Sequence, residues 1–160
     1  MSKVLTFSRV FPTTHPKAGQ PTYFVEKIYN NRFSKNNLMG YPKGLEIDDT
    51  IMGVKKHTIR NGNRWKVGDK FSPRVWSGKP YCSKQIIIAG DITIQALYDI
   101  TFVPADELLI VGDYNYYPNG YEGMIKLLAT NDGLSVEDFK AWFNKPFIGQ
   151  IICWDDPKYN

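Results

Sequence analysis

Apolar and polar positions alternate loosely from Val4 to Phe11, which predicts a first strand ended by Pro12 and the turn-rich stretch PTTHPKAGQP. Thr22 is a suitable N-cap, and Tyr23, Phe24, Lys27 and Ile28 follow at helical spacing with Glu26 in the first turn, so a helix is expected through Arg32. Phe33 to Gly44, rich in Asn, Lys and Gly, reads as an exposed loop. Asp48 opens a second short helix to Met52, with Gly53 as its left-handed C-cap, and Lys56 to Arg60 follows as a strand. The segment RWKVGDKFSPRVWSGKP reads as strand, loop, strand, bent at Gly68-Asp69. The strongest β signal comes next, in the β-branched runs Gln85 to Ala89, Ile92 to Leu97 and Ile100 to Val103. After a tyrosine-rich loop at Pro118 and Gly120, Glu122 to Thr130 reads as a helix. Ser135 to Phe143 reads as another, because Ser135 with Asp138 makes a capping-box-like start, and Ile148 to Trp154 is a last strand.

A few helices around five or six strands, mostly adjacent in sequence, predict an α+β fold built as a small, partly open mixed β-barrel with peripheral helices. The alternating pattern of a doubly wound sheet is absent. So are the glycine-rich phosphate loops GxGxxG and GxxxxGK[ST], which argues against a nucleotide-triphosphate enzyme.

The chain has 160 residues, 42% of them hydrophobic and 22% charged, which suits one packed domain spanning 1–160 and not a disordered chain. Cys82 and Cys153 lie 71 positions apart with no CxxC and no histidine pair nearby, so no metal site, no cofactor and no disulfide framework is expected, and a reducing cytoplasmic setting fits. No run approaches the ~20 apolar residues of a membrane span, and the N-terminus does not resemble an export signal. The net charge of +4 hides an asymmetry: residues 1–84 hold 16 Lys/Arg and 5 Asp/Glu (+11), and residues 85–160 hold 4 and 11 (−7). Either one basic face is reserved for a polyanion, or the two charge blocks interleave and neutralise each other.

The densest chemical signal is Gly53-Val54-Lys55-Lys56-His57-Thr58-Ile59-Arg60 with Asn63-Arg64-Trp65-Lys66, where five cations fall within the twelve positions from Lys55 to Lys66. On an extended strand Lys56, Thr58 and Arg60 share one face, and His57 and Ile59 take the other. Such a row of donors suits phosphate or a base edge; the alternative is an ordinary solvated strand face. A second candidate surface is Val75-Trp76-Ser77-Gly78-Lys79-Pro80-Tyr81, where Trp76 and Tyr81 flank Lys79 as if to stack a base and pin its phosphate. A strand tryptophan such as Trp76 is more often core, so Lys79 and Tyr81 are the better contact candidates. The tyrosines Tyr114, Tyr116, Tyr117 and Tyr121 lie among acids and read as structural or partner-facing. Phe139, Trp142 and Phe143 form an inward stripe, His57 reads as packing, and His15 carries no signal.

The spacing G-x-K-x-x-T-x-R at Gly53, Lys55, Thr58 and Arg60, followed by RWKVGD, resembles the signature of ASCH domains, small β-barrels of the PUA-like superfamily. The resemblance runs from about Leu5 to Trp154, through TFSRVF, VWSGKPYCSKQI and NDGLSVEDFKAWF. It implies recognition of RNA or a nucleoside in a cleft. For some members it implies N4-acetylcytidine amidohydrolase activity, and for others ribonuclease activity.

The amidohydrolase members use a Lys, a Thr and a Glu, which the resemblance places at Lys55, Thr58 and Asp132. Aspartate in place of glutamate is a departure: it is one methylene shorter, and a displacement of ~1 Å can cost about a hundredfold in rate. In such a set the lysine would take the threonine proton, with Lys56, Arg60 and Arg64 as neighbouring cations, and the carboxylate would orient the lysine, activate water or accept from a base amine. Three positions apart, Lys55 and Thr58 would face opposite ways on a regular strand, so Lys55 belongs in the turn before it. The expectation is a module that binds RNA or a modified nucleoside through Lys56, Arg60, Arg64, Lys66, Trp76, Lys79 and Tyr81, with hydrolysis by Lys55, Thr58 and Asp132 as a second component. The alternative is a non-catalytic RNA-binding or protein-interaction module on the same scaffold.

Overall fold

A computed structural model describes residues 2–32, 42–116 and 119–159. In chain order the strands are β1 (Lys3–Thr6), β2 (His57–Asn61), β3 (Lys70–Trp76), β4 (Gln85–Ile87), β5 (Ile92–Thr93), β6 (Ala96–Val103), β7 (Leu108–Val111), β8 (Tyr114–Asn115) and β9 (Phe147–Cys153). The helices are α1 (Phe24–Arg32), α2 (Tyr121–Asp132) and α3 (Val136–Trp142). The class is α+β, with a mixed four-stranded sheet and an antiparallel five-stranded sheet, neither closed into a barrel. No helix among the described residues is long and apolar enough to cross a membrane.

The chain forms two compact units, each assembled from two stretches of sequence: unit one is Met1–Lys55 with Asp69–Thr93, and unit two is Lys56–Gly68 with Ile94–Asn160.

In unit one, β3 is the centre of the sheet. It pairs in parallel with β1, Lys3 opposite Phe71 and Thr6 opposite Arg74, and antiparallel with β4 and β5. The first strand is shorter than the alternation from Val4 to Phe11 suggests, because regular pairing stops at Thr6. Helix α1 begins as Thr22 foretells: its Oγ1 accepts the Phe24 N–H at 3.3 Å and donates to the Ser8 carbonyl at 2.7 Å. Its buried face is Phe24, Val25, Ile28 and Tyr29, so Val25 and Tyr29 take the place expected of Tyr23 and Lys27.

The short helix expected from Asp48 to Met52 does not form. The Asp48 carboxylate accepts the Thr50 N–H at 3.0 Å, closing a local turn in which short polar side chains compete with helical bonding. That turn holds the Asp48 carboxyl below the usual carboxylate range, the Thr50 hydroxyl being the larger cause. Gly53 does adopt a left-handed backbone, at φ +95°, but within an irregular segment and not at a helix end. Residues 33–41, most of the predicted Phe33 to Gly44 loop, lie outside the described residues, as do Tyr117 and Pro118.

In unit two the sheet order is β2-β9-β6-β7-β8. Strand β9 is central, with Cys153 opposite His57 on one side and Ala96 on the other. The close approach of β2 to β9 requires Gly149, where a Cβ would sit 2.1 Å from the Arg60 carbonyl oxygen. Arg64 to Val67, expected as a strand, is a turn segment instead, and β7 and β8 occupy a region the sequence pattern leaves unassigned. Helix α2 runs past the predicted Thr130 to Asp132 and ends at Gly133, φ +79°, whose N–H reaches the Thr130 carbonyl. Ser135 caps α3 as predicted, accepting the Asp138 N–H at 3.1 Å. Phe139 is buried on α3, whereas Trp142 and Phe143 are half-buried and not the core residues expected.

Candidate functional site

Lys55 belongs to unit one and lies in the irregular segment that precedes β2, without the helix end at Gly53 that the spacing called for. The end of α1 places it there. Asn30 donates its side-chain amide to the carbonyls of Ile51 and Gly53 at 3.0 and 2.8 Å, and the Lys55 N–H bonds the Lys27 carbonyl at 3.0 Å. The lysine is 2% exposed, with its ammonium 4.1 Å from the centre of the Phe24 ring and 6.0 Å from that of Phe7. Its burial is deeper than the partial burial expected, and its ammonium lies against aromatic faces.

In unit two, β2 carries two different environments on its two faces. His57 is fully buried, and the Tyr159 hydroxyl lies 2.6 Å from its Nδ1. The Asn131 amide donates to that same hydroxyl at 3.0 Å. The phenol and Nδ1 share one hydrogen bond, whose direction follows the imidazole tautomer, and Nε2 lies 3.8 Å from Asp132 Oδ1. Burial pushes the Tyr159 phenol well above its ordinary value, so it keeps its proton. Asp132 is buried in the last turn of α2, not in the turn ahead of the late helix, and Ser135 performs the capping.

Strand alternation turns Thr58 to the face opposite His57. Thr58 is buried, and its Oγ1 accepts the Arg60 Nε–H at 3.1 Å, which fixes the guanidinium over the strand. The contacts of Thr58 and Asp132 described here thus lead to different partners, Arg60 for the first and His57 for the second.

Beyond that pair, Lys56 is half-buried, with its N–H on the Asn131 carbonyl at 2.7 Å. Arg64 and Lys66 are exposed, the Arg64 guanidinium 4.8 Å from the centre of the Trp65 ring. The turn that carries them is anchored by Gln150, whose side-chain amide accepts the Trp65 N–H at 3.1 Å and donates to the Trp65 carbonyl at 3.2 Å.

The remaining candidates, Trp76, Lys79 and Tyr81, lie in unit one at the β3–β4 hairpin. Trp76 is half-buried, Lys79 is exposed and Tyr81 is 87% exposed, its ring centre 5.1 Å from that of Trp76. Of the tyrosine cluster, Tyr114 is exposed, Tyr121 is buried and Tyr116 donates its hydroxyl to the Tyr159 carbonyl at 3.0 Å.

Sequence reasoning missed Tyr159 and Asn131 altogether. Neither carries a local signal, since Tyr159 is 102 positions from His57 and Asn131 is one of several asparagines near helix ends. Among the described residues no group of three His, Cys, Asp or Glu is placed to hold a metal ion. No family model, no curated protein and no solved structure matches this chain.

Proposed function

We propose that this chain is an ASCH-type protein that binds RNA or a modified nucleoside, and that unit two meets the phosphates with Lys56, Arg60, Arg64 and Lys66. The observation that carries this reading is the charge arrangement of that unit. It holds 8 Lys/Arg and 10 Asp/Glu, a net of −2, yet four of the eight cations fall between Lys56 and Lys66, where there is no carboxylate; all ten acids lie from Asp99 to Asp156. A basic strip on an acidic background orients a polyanion, and the Thr58–Arg60 bond positions one of the strip's guanidinium groups. The test is titration of labelled single-stranded RNA at several salt concentrations. Affinity should fall steeply with salt, and Arg60→Ala or Lys66→Ala should flatten the slope by roughly 0.7 each. Absence of salt-sensitive binding would leave the protein-interaction module as the reading.

A second reading, hydrolysis of an acylated cytidine or of RNA, rests on the residue types Lys55, Thr58 and Asp132. The burial of Lys55 favours it, since a lysine kept from water is suited to proton transfer in a way a surface cation is not. Thr58 Oγ1, already accepting from Arg60, has its own proton to give. Cleavage of N4-acetylcytidine would break the amide C–N bond, water supplying hydroxyl to the acetyl group and a proton to the amine. Release of cytidine by wild type, lost in Lys55→Ala and Thr58→Val, supports it; an inert wild type removes it.

A further inference from the structure

The β3–β4 hairpin of unit one closes through a turn whose sequence and conformation disagree. The Cys82 N–H bonds the Lys79 carbonyl at 3.1 Å, so Lys79-Pro80-Tyr81-Cys82 is a β-turn with proline in its second position. Tyr81, in the third, has φ +63°, a left-handed conformation in which such turns take glycine. The loop is pinned around it: Ser83 Oγ accepts the Gly78 N–H at 3.0 Å and donates to the Lys79 carbonyl at 2.8 Å, and the Ser77 N–H bonds the Lys84 carbonyl at 2.8 Å.

A strained backbone is normally offset by what the side chain buries. Here the ring is 87% exposed, and Trp76 beside it lies tilted at 48°. Glycine would suit the turn better, so stability does not account for a tyrosine. What the tyrosine provides is an aromatic face standing in water on a rigid loop, with Lys79 and Lys84 exposed beside it. From Lys70 to Gly90 there are four cations and no carboxylate, so the surroundings suit an anion.

We infer that Tyr81, backed by Trp76 and flanked by Lys79 and Lys84, is a stacking post for one unpaired base of a single-stranded nucleic acid. The inference rests on the RNA reading above and narrows it. In a duplex both faces of each base are already stacked, so a protruding ring finds its partner only on a splayed-out base, whose phosphate the two lysines would neutralise.

The test compares wild type, Tyr81→Gly and Tyr81→Phe for affinity to a short single-stranded oligouridylate and to an RNA duplex, together with Tm. Tyr81→Gly should lose about fivefold or more on the single strand, leave duplex affinity unchanged and keep or raise Tm. Tyr81→Phe should bind as wild type does. If Tyr81→Gly binds the single strand as tightly as wild type, the stacking post is wrong while the cationic strip of unit two stands. A lowered Tm in Tyr81→Gly would make the ring structural and overturn the inference. If wild type binds neither nucleic acid, both the inference and the RNA reading fall.

Discussion

The Tyr159 hydroxyl lies 2.6 Å from Nδ1 of His57, so one phenol ties residue 159 to the first residue of β2. Because Asn131 donates to the same oxygen, three buried polar groups from separate elements satisfy one another. Removing the hydroxyl alone leaves a buried imidazole nitrogen and a buried amide to find new partners. Tyr159→Phe should therefore cost about 1–3 kcal/mol in denaturant unfolding, despite conserving the ring. A loss too small to resolve would mean that the hydroxyl contributes nothing net.

The same phenol sets a direction for pH dependence. Burial raises the folded-state value of Tyr159 above the ordinary 10.0, and Tyr98 is raised to about 12, chiefly by burial and then by its hydrogen bond to Asp156. Above pH 10 the unfolded chain gives up these protons and the folded chain keeps them. The tyrosines' contribution is thus fully present below that pH and is lost as pH rises, by about 1.4 kcal/mol per pH unit from Tyr159 alone. Urea midpoints measured from pH 8 to 11 should decline at the top of the range, less steeply in Tyr159→Phe.

Gly149→Ala should be the most damaging single-methyl change in unit two. The new carbon would stand 2.1 Å from the Arg60 carbonyl, a backbone atom that cannot rotate away, so β2 must shift against β9. A loss of about 2 kcal/mol or more is expected. The RNA binding proposed for the Lys56–Lys66 strip should weaken with it at temperatures where the chain remains folded, because Arg60 moves with its carbonyl.

Ser135→Ala tests a local feature. Loss of the Oγ bond to the Asp138 N–H should cost about 1 kcal/mol, seen as a lower Tm. Ser135→Asp should restore most of it.

Helices α1 and α3 were legible because their caps, Thr22 and Ser135, act within three residues along the chain. The same logic failed at Asp48, where the capping side chain was present and its hydrogen bonds formed, but no apolar stripe followed to make a helix worth extending. The two faces of β2 were readable from alternation: His57 and Ile59 are buried on one, and Thr58 joins Arg60 on the other. Depth was not readable. The burial of Lys55 depends on Phe7 and Phe24, and the polar contacts of His57 depend on α2 and Tyr159, all remote in sequence. An exposed aromatic such as Tyr81 differs from a core one only in its turn, and Pro80 beside it was the available sign.

Neither unit is one uninterrupted stretch, since the chain passes between them after Lys55, Gly68 and Thr93. Synthesis therefore delivers the whole of unit one before most of unit two exists. Strand β2 emerges well before its sheet partner β9, which follows only at Phe147–Cys153, so His57 waits for Cys153. Until then the strand that bears Thr58 and Arg60 has bare backbone donors and acceptors, and a chain halted before Phe147 would leave them open to mispairing with another copy.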